Sequence, residues 1–120
     1  MNVVIAAGGT GGHLYPAIAV AREFLKRDPS TRILFVGTTR GIERKVLAHE
    51  GFPLQCIDAN PLMGTSLLEF LKALITLPKS LWQSLGILKK QSADLVFGVG
   101  GYTSPAMLLA AFLRRIPGVI

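Results

Sequence analysis

The chain is poor in cysteine and in charge, and each shortage excludes something. Cys56 is the sole cysteine among 120 residues, so no intrachain disulfide can form and a disulfide-stapled secreted scaffold is excluded. A lone thiol fits a reducing compartment. The run around it, Leu54–Asp58, is strand-like, and Cys56 is expected as a small core residue rather than a reactive thiol. Only 17% of residues are charged and half are hydrophobic, which argues against disorder and supplies one sizeable core. Aromatics make up 8%, with no Arg-rich run and no exposed aromatic platform, so no nucleic-acid partner is expected. No apolar stretch reaches the ~20 residues of a membrane-spanning helix. The N-terminus enters a strand without a basic leader, so no signal peptide is expected.

What charge there is leans positive. The net charge is +6; residues 1–59 carry seven Lys/Arg against five Asp/Glu, and residues 60–120 carry six against two. Basic excess beside apolar sequence suits a phosphate-bearing ligand or an anionic membrane surface.

Seven glycines gather in two places. Val3–Ala7 runs into Gly8-Gly9-Thr10-Gly11-Gly12-His13, and Asp94–Phe97 runs into Gly98-Val99-Gly100-Gly101-Tyr102-Thr103-Ser104. Each is a short apolar run, a glycine turn and a helix-like segment. Backbone N–H groups freed in such a turn, at the start of a helix, attract anions. The spacing is not that of a dinucleotide fingerprint. Counted from Gly9, the third glycine would fall where Leu14 stands, and the second strand ends Phe35-Val36-Gly37-Thr38-Thr39 with no ribose-binding acid. No Lys-Ser or Lys-Thr pair follows the glycines, so a P-loop fails too. A nucleotide-binding oxidoreductase domain is disfavoured, and a general anion cradle survives.

Apolar runs alternate with helical periods, which predicts βαβ units and a parallel sheet, an α/β doubly wound, Rossmann-like fold. Strands are expected at Val3–Ala7, Arg32–Val36, Leu54–Asp58 and Leu95–Phe97. Helices are expected at Pro16–Arg27, Ile42–Glu50 and from Ser104 to about Arg115, where Ser104-Pro105 is a good cap-then-proline pair. Residues 59–66 read as a loop. The closing Arg114–Ile120 reads as a helix end, a turn and the start of a fifth strand, as expected for the first half of a larger protein. In the strand order 3-2-1-4-5, strands 1 and 4 are neighbours and their helices leave on opposite faces. The crevice above their carboxyl ends is the switch point where open α/β sheets bind ligands. Both glycine turns follow those two strands.

Within this crevice His13 can donate to a phosphate or act as a general base near neutral pH, the helix start favouring its neutral form; bonding only the loop backbone is the alternative. Thr10 can bond a phosphate oxygen or cap its loop. Tyr102, Thr103 and Ser104 offer hydroxyls at the other rim, with capping or packing as the plainer roles. His49, late in a surface helix, is expected to be solvated.

Leu67–Lys90 is a long helical stretch with Pro78 inside it, where a break or kink is expected. Its polar positions Glu69, Lys72, Thr76, Lys79, Gln83 and Lys90 form one narrow stripe. The rest is mostly large and apolar, more than one sheet face can cover. Burial against a further part of the protein, a partner or a lipid surface are the outcomes. Trp82 with lysines nearby suits an interfacial location.

The two glycine motifs in this order, with Pro16, the segment Gly37-Thr38-Thr39-Arg40-Gly41-Ile42-Glu43 and the closing Ile116-Pro117, resemble the MurG family. These are bacterial UDP-N-acetylglucosamine:lipid I N-acetylglucosaminyltransferases of peptidoglycan synthesis, and the resemblance spans the whole chain. It implies that residues 1–120 are the N-terminal acceptor-binding domain of an inverting GT-B glycosyltransferase, truncated in its fifth strand. It further implies a C-terminal domain, absent here, that binds UDP-GlcNAc, and no metal or cofactor. Gly8, Gly9, Thr10, Gly11, Gly12, Gly98, Gly100, Gly101, Tyr102, Thr103 and Ser104 would bind the acceptor and its diphosphate, and His13 would be the base. Leu71, Lys72, Leu74, Ile75, Lys79 and Trp82 would touch an anionic membrane on its cytoplasmic face. The polyprenyl-diphosphate sugar would be the partner. The loop Asn60–Ser66 departs from the family in carrying no basic residue. A non-catalytic membrane-anchoring subunit of a split transferase is the alternative; the isolated chain is expected to be inactive.

Overall fold

Short runs of aliphatic and β-branched residues become the strands, and runs with a helical period become the helices. The computed structural model describes residues 1–7, 14–38, 43–57, 66–99 and 104–119, without the side chains of Glu43, Glu69, Phe70 and Ala73. In chain order the elements are β1 (Asn2–Ala6), α1 (Leu14–Arg27), β2 (Arg32–Gly37), α2 (Glu43–Glu50), β3 (Leu54–Cys56), α3 (Leu67–Gln91), β4 (Leu95–Gly98), α4 (Ser104–Leu113) and β5 (Gly118–Val119). The strands form one parallel sheet in the order β3-β2-β1-β4-β5, the doubly wound order the sequence predicts.

β1 is the middle strand, and every residue from Val3 to Ala7 is buried. A parallel strand covered on both faces needs no polar alternation. Its side chains divide between two cores. Val4 and Ala6 join Leu34, Val36, Val96 and Met107 beneath α3 and α4. Val3 and Ile5 join Phe35, Leu14, Ile18 and Leu47 beneath α1 and α2. Right-handed crossovers running outward from β1 in both directions put one helix pair on each face.

At the amino edge of the sheet β1 and β4 are locked together by polar groups. The Asn2 N–H donates to Asp94 Oδ2 at 2.7 Å, and the Asp94 N–H donates to Asn2 O at 2.8 Å. The Asn2 amide Nδ2 also donates to Gln91 O at 2.9 Å, closing the end of α3. In the turn after α1, two hydrogen bonds from Ser30 hold the Asp28 carboxyl below the usual carboxylate range.

Three helices stop in the same way. Gly51, Ser92 and Arg115 have φ of 80°, 50° and 57°. The next amide then reaches back into the last helical turn: Phe52 to Leu47 O at 2.9 Å, Ala93 to Leu88 O at 3.1 Å and Ile116 to Ala111 O at 2.8 Å. This is the Schellman closure. Only Gly51 is a glycine, so the other two hold a left-handed backbone at some cost.

Leu108 on α4 sits over two glycines. A Cβ on Gly98 would stand 3.0 Å from Leu108 Cδ1, and one on Gly118 would stand 3.1 Å from Leu108 Cδ2. The two glycines let α4 lie close to β4 and β5.

One expectation is narrowed and one corrected. α3 is helical throughout Leu67–Gln91 with Pro78 inside it, so of the break or kink expected there the break does not occur. The proline forfeits one backbone bond, and packing of the following turns against α4 and the sheet carries the helix through. Cys56 is half-buried rather than a core residue. β3 is the edge strand, and the Arg44 guanidinium lies 3.9 Å from the Cys56 sulfur. Asp58, the expected end of this strand, lies outside the described residues.

Overpacking at Gly98 is therefore expected to lower stability. Gly98→Val should cost about 1–3 kcal/mol in urea unfolding. Ser92→Gly should be neutral or stabilising by up to about 1 kcal/mol, since relief of the left-handed strain offsets the extra chain entropy.

Candidate functional site

The site is placed by the pairing of β1 with β4. Their register sets Ala6 opposite Gly98, so the two glycine turns leave the sheet from the same rung of adjoining strands, about 4.8 Å apart. The flanks of both turns are pinned. The Ala7 N–H donates to Val36 O and the Val99 N–H to Ala6 O, each at 3.1 Å. The turn residues Gly8, Gly9, Thr10, Gly11, Gly12 and His13, and Gly100, Gly101, Tyr102 and Thr103, lie outside the described residues. From the sequence-predicted site, Gly98 and Ser104 are described.

Ser104 opens α4 and is buried. Its hydroxyl donates to the Ala6 carbonyl at 3.2 Å, across 98 residues of chain. Its one proton thus ties the start of α4 to the end of β1. Gly98 faces Ser104 Cβ and Leu108; the missing side chain here makes room for α4.

Thr38, one residue beyond β2, is 6% exposed. Its Oγ1 is buried with no hydrogen-bond partner among the described residues. A buried hydroxyl left unpaired costs about 1–3 kcal/mol. The sequence shows the threonine, but nothing in it marks the hydroxyl as unpaired. Tyr15, in the first turn of α1, is exposed.

The apolar excess of α3 divides along its length. Leu67, Leu68, Leu71, Leu74 and Ile75 are exposed, Ile75 to 77%. Leu77, Leu81 and Leu85 pack against the core, and Ile87 and Leu88 lie within it. Trp82 is 76% exposed, and Lys72 and Lys79 lie on the exposed surface. α4, on the same face of the sheet, exposes Leu109, Phe112 and Leu113. Its continuous apolar run gives no periodicity from which this exposed side could be read. A groove of about 580 Å³ runs beside α3, with Gln55, Cys56, Trp82, Lys89, Lys90 and Arg114 in its walls. Among the described residues, no helix is long and apolar enough to cross a membrane.

Residues 3–120 match the glycosyltransferase family 28 N-terminal domain. The chain is 49% identical over its whole length to a UDP-N-acetylglucosamine--N-acetylmuramyl-(pentapeptide) pyrophosphoryl-undecaprenol N-acetylglucosamine transferase of Syntrophotalea carbinolica, covering 34% of it. It is 48% identical, again over its whole length, to the transferase of the same name from Myxococcus xanthus, covering 31% of that protein. The crystal structure of Acinetobacter baumannii MurG superimposes with a TM-score of 0.81 at 31% identity, over 98% of this chain and 34% of that one. The chain thus spans about a third of the length of the curated relatives it matches.

Removing the Ser104 hydroxyl should loosen the link between α4 and β1. Ser104→Ala is expected to cost about 0.5–2 kcal/mol in urea unfolding. Amide exchange should rise at Val99 and in the first turn of α4 more than at the amino edge of the sheet.

Proposed function

The chain belongs to the glycosyltransferase family 28 N-terminal domain family, and from that membership we propose that it is the acceptor-binding half of a peptidoglycan-synthesis GT-B transferase. That enzyme moves N-acetylglucosamine from UDP-GlcNAc to undecaprenyl-diphosphate-linked N-acetylmuramoyl-pentapeptide, lipid I. One observation supports this above the others: two glycine turns that leave adjoining strands at one rung, beside a helix start fixed by Ser104. N–H groups of turns so placed can grip a diphosphate from two sides.

In this reading the Gly8–Gly12 and Gly98–Ser104 segments hold the acceptor diphosphate. Ser104 contributes by tying the start of α4 to β1. Thr10, Tyr102 and Thr103 bond the acceptor. His13 takes the proton from the acceptor sugar hydroxyl as its oxygen attacks the anomeric carbon of the donor. The bond from that carbon to the UDP oxygen breaks, UDP leaves with the bonding pair, and the configuration inverts. Holding the acceptor supplies much of the rate by orientation. UDP-GlcNAc binding belongs to the donor domain of the complete transferase.

The same reading puts the enzyme peripherally on the cytoplasmic face of the bacterial plasma membrane, where its acceptor is anchored. Leu71, Leu74, Ile75 and Trp82 expose apolar area beside Lys72 and Lys79, the pairing that favours an anionic lipid surface.

Two measurements test the proposal. In the complete transferase His13→Ala should lower kcat about 10²–10⁴-fold while lipid I binding persists; unchanged turnover rejects His13 as the base. Joint Lys72→Glu and Lys79→Glu replacement should weaken partition into phosphatidylglycerol vesicles by about tenfold or more, and less so at high salt. Unaltered partition removes the membrane role of α3.

A further inference from the structure

We propose that the groove beside the later turns of α3 is a discrete site for one anionic phospholipid, its phosphate on Lys89, Lys90 and Arg114 and an acyl chain laid across Gly86. The assignment rests on the reading that α3 meets an anionic membrane, and adds to that surface a single built site. Gly86 is the residue that carries it. Gly98 and Gly118 make room for Leu108, and Gly51 holds a left-handed φ. Gly86 does neither. It lies inside α3 without a positive φ, and a Cβ built on it would meet nothing within 4 Å. Inside a helix glycine is weaker than alanine, and alanine would fit here without a clash. The bare backbone instead opens the wall of a groove of about 580 Å³, a size in the range of small-ligand sites.

The groove is polarised. Trp82, Gly86 and Lys90 stand at positions i, i+4 and i+8, so they share one side of α3, and their Cα atoms span about 12 Å. Lys89 and Arg114 lie in the same walls. α3 and α4 both end at the amino edge of the sheet, where they lead into β4 and β5, which gathers the three cations at one end. None of the three forms an ion pair among the described residues, and among those residues no acid lines the groove. Leu85 and the exposed Trp82 make the other end apolar. Before Trp82 the helix exposes Ile75, Leu74 and Leu71. A free phosphate would leave that apolar half unused. An anion carrying a hydrocarbon chain matches both ends, and indole beside lysine is the pairing of a membrane interface. A chain lying along the helix needs the clearance that a side chain at position 86 would take away.

The test uses the whole chain, with calorimetry and the emission of Trp82, its single tryptophan, as readouts. The probes are dihexanoylphosphatidylglycerol below its micellar concentration, zwitterionic dihexanoylphosphatidylcholine and inorganic phosphate. The phosphatidylglycerol should bind saturably, one per chain, and shift Trp82 emission to the blue. The phosphatidylcholine should bind about tenfold or more weakly. Gly86→Leu should weaken phosphatidylglycerol binding by about tenfold or more, whereas Gly86→Ala should raise the urea midpoint and weaken binding less. Joint Lys90→Gln and Arg114→Gln replacement should make the two lipids bind alike. Equal binding of both lipids by wild type, or undiminished affinity in Gly86→Leu, overturns the site. Inorganic phosphate that binds as tightly as phosphatidylglycerol overturns it in favour of a free-anion site. Wild type that partitions into phosphatidylglycerol vesicles but binds no lipid monomer overturns the site and leaves the membrane reading standing. Failure of both rejects the two together.

Discussion

Asn2 and Asp94 lie 92 positions apart in the chain, yet their strands must pair in one register for anything else in the molecule to make sense. That pairing of β1 with β4 is the constraint on which the crevice depends. Its entropic cost is paid once, in closing a long loop, and that cost grows only slowly with loop length. The return is a buried ladder clasped at both ends. Asn2 and Asp94 exchange hydrogen bonds at the amino edge, and Ser104 bonds to Ala6 at the carboxyl edge. A slip of one residue would turn every β1 side chain toward the wrong core, and it would also separate the two glycine turns.

The long α3 shows how stability and exposure are shared within one helix. Its later turns bury Ile87 and Leu88 and anchor it against α4 and the sheet. Its first turns leave leucine and isoleucine in solvent. The anchored part keeps the whole helix ordered through Pro78, so the exposed part can present apolar area without having to stabilise itself.

Much of this was legible in the sequence. Unbroken apolar runs identified buried parallel strands, helical periods identified crossovers, and the two glycine clusters located the switch point. What escaped depends on distances between layers. Gly98 reads in sequence as one more anion-binding glycine; in the folded chain it clears space for Leu108. Ser104 reads as a cap, and its bond to a residue 98 positions away has no local signature. Cys56 lies on an edge strand, and edge and centre look alike in a three-residue strand. The residues of both turns between their pinned flanks, His13 among them, lie outside the described residues, so their roles rest on resemblance and on where the strands deliver them.

Leu108 carries a consequence beyond packing. It rests on Gly98 in β4 and on Gly118 in β5 with clearances of 3.0 and 3.1 Å to any added Cβ, and it shares a helix with Ser104. Both clearances are to the methyl ends of one flexible side chain, so a methyl added at either glycine is met first by Leu108, which has to give by a few tenths of an ångström. One leucine thus senses crowding in two strands at once, and it does so from the helix that Ser104 opens.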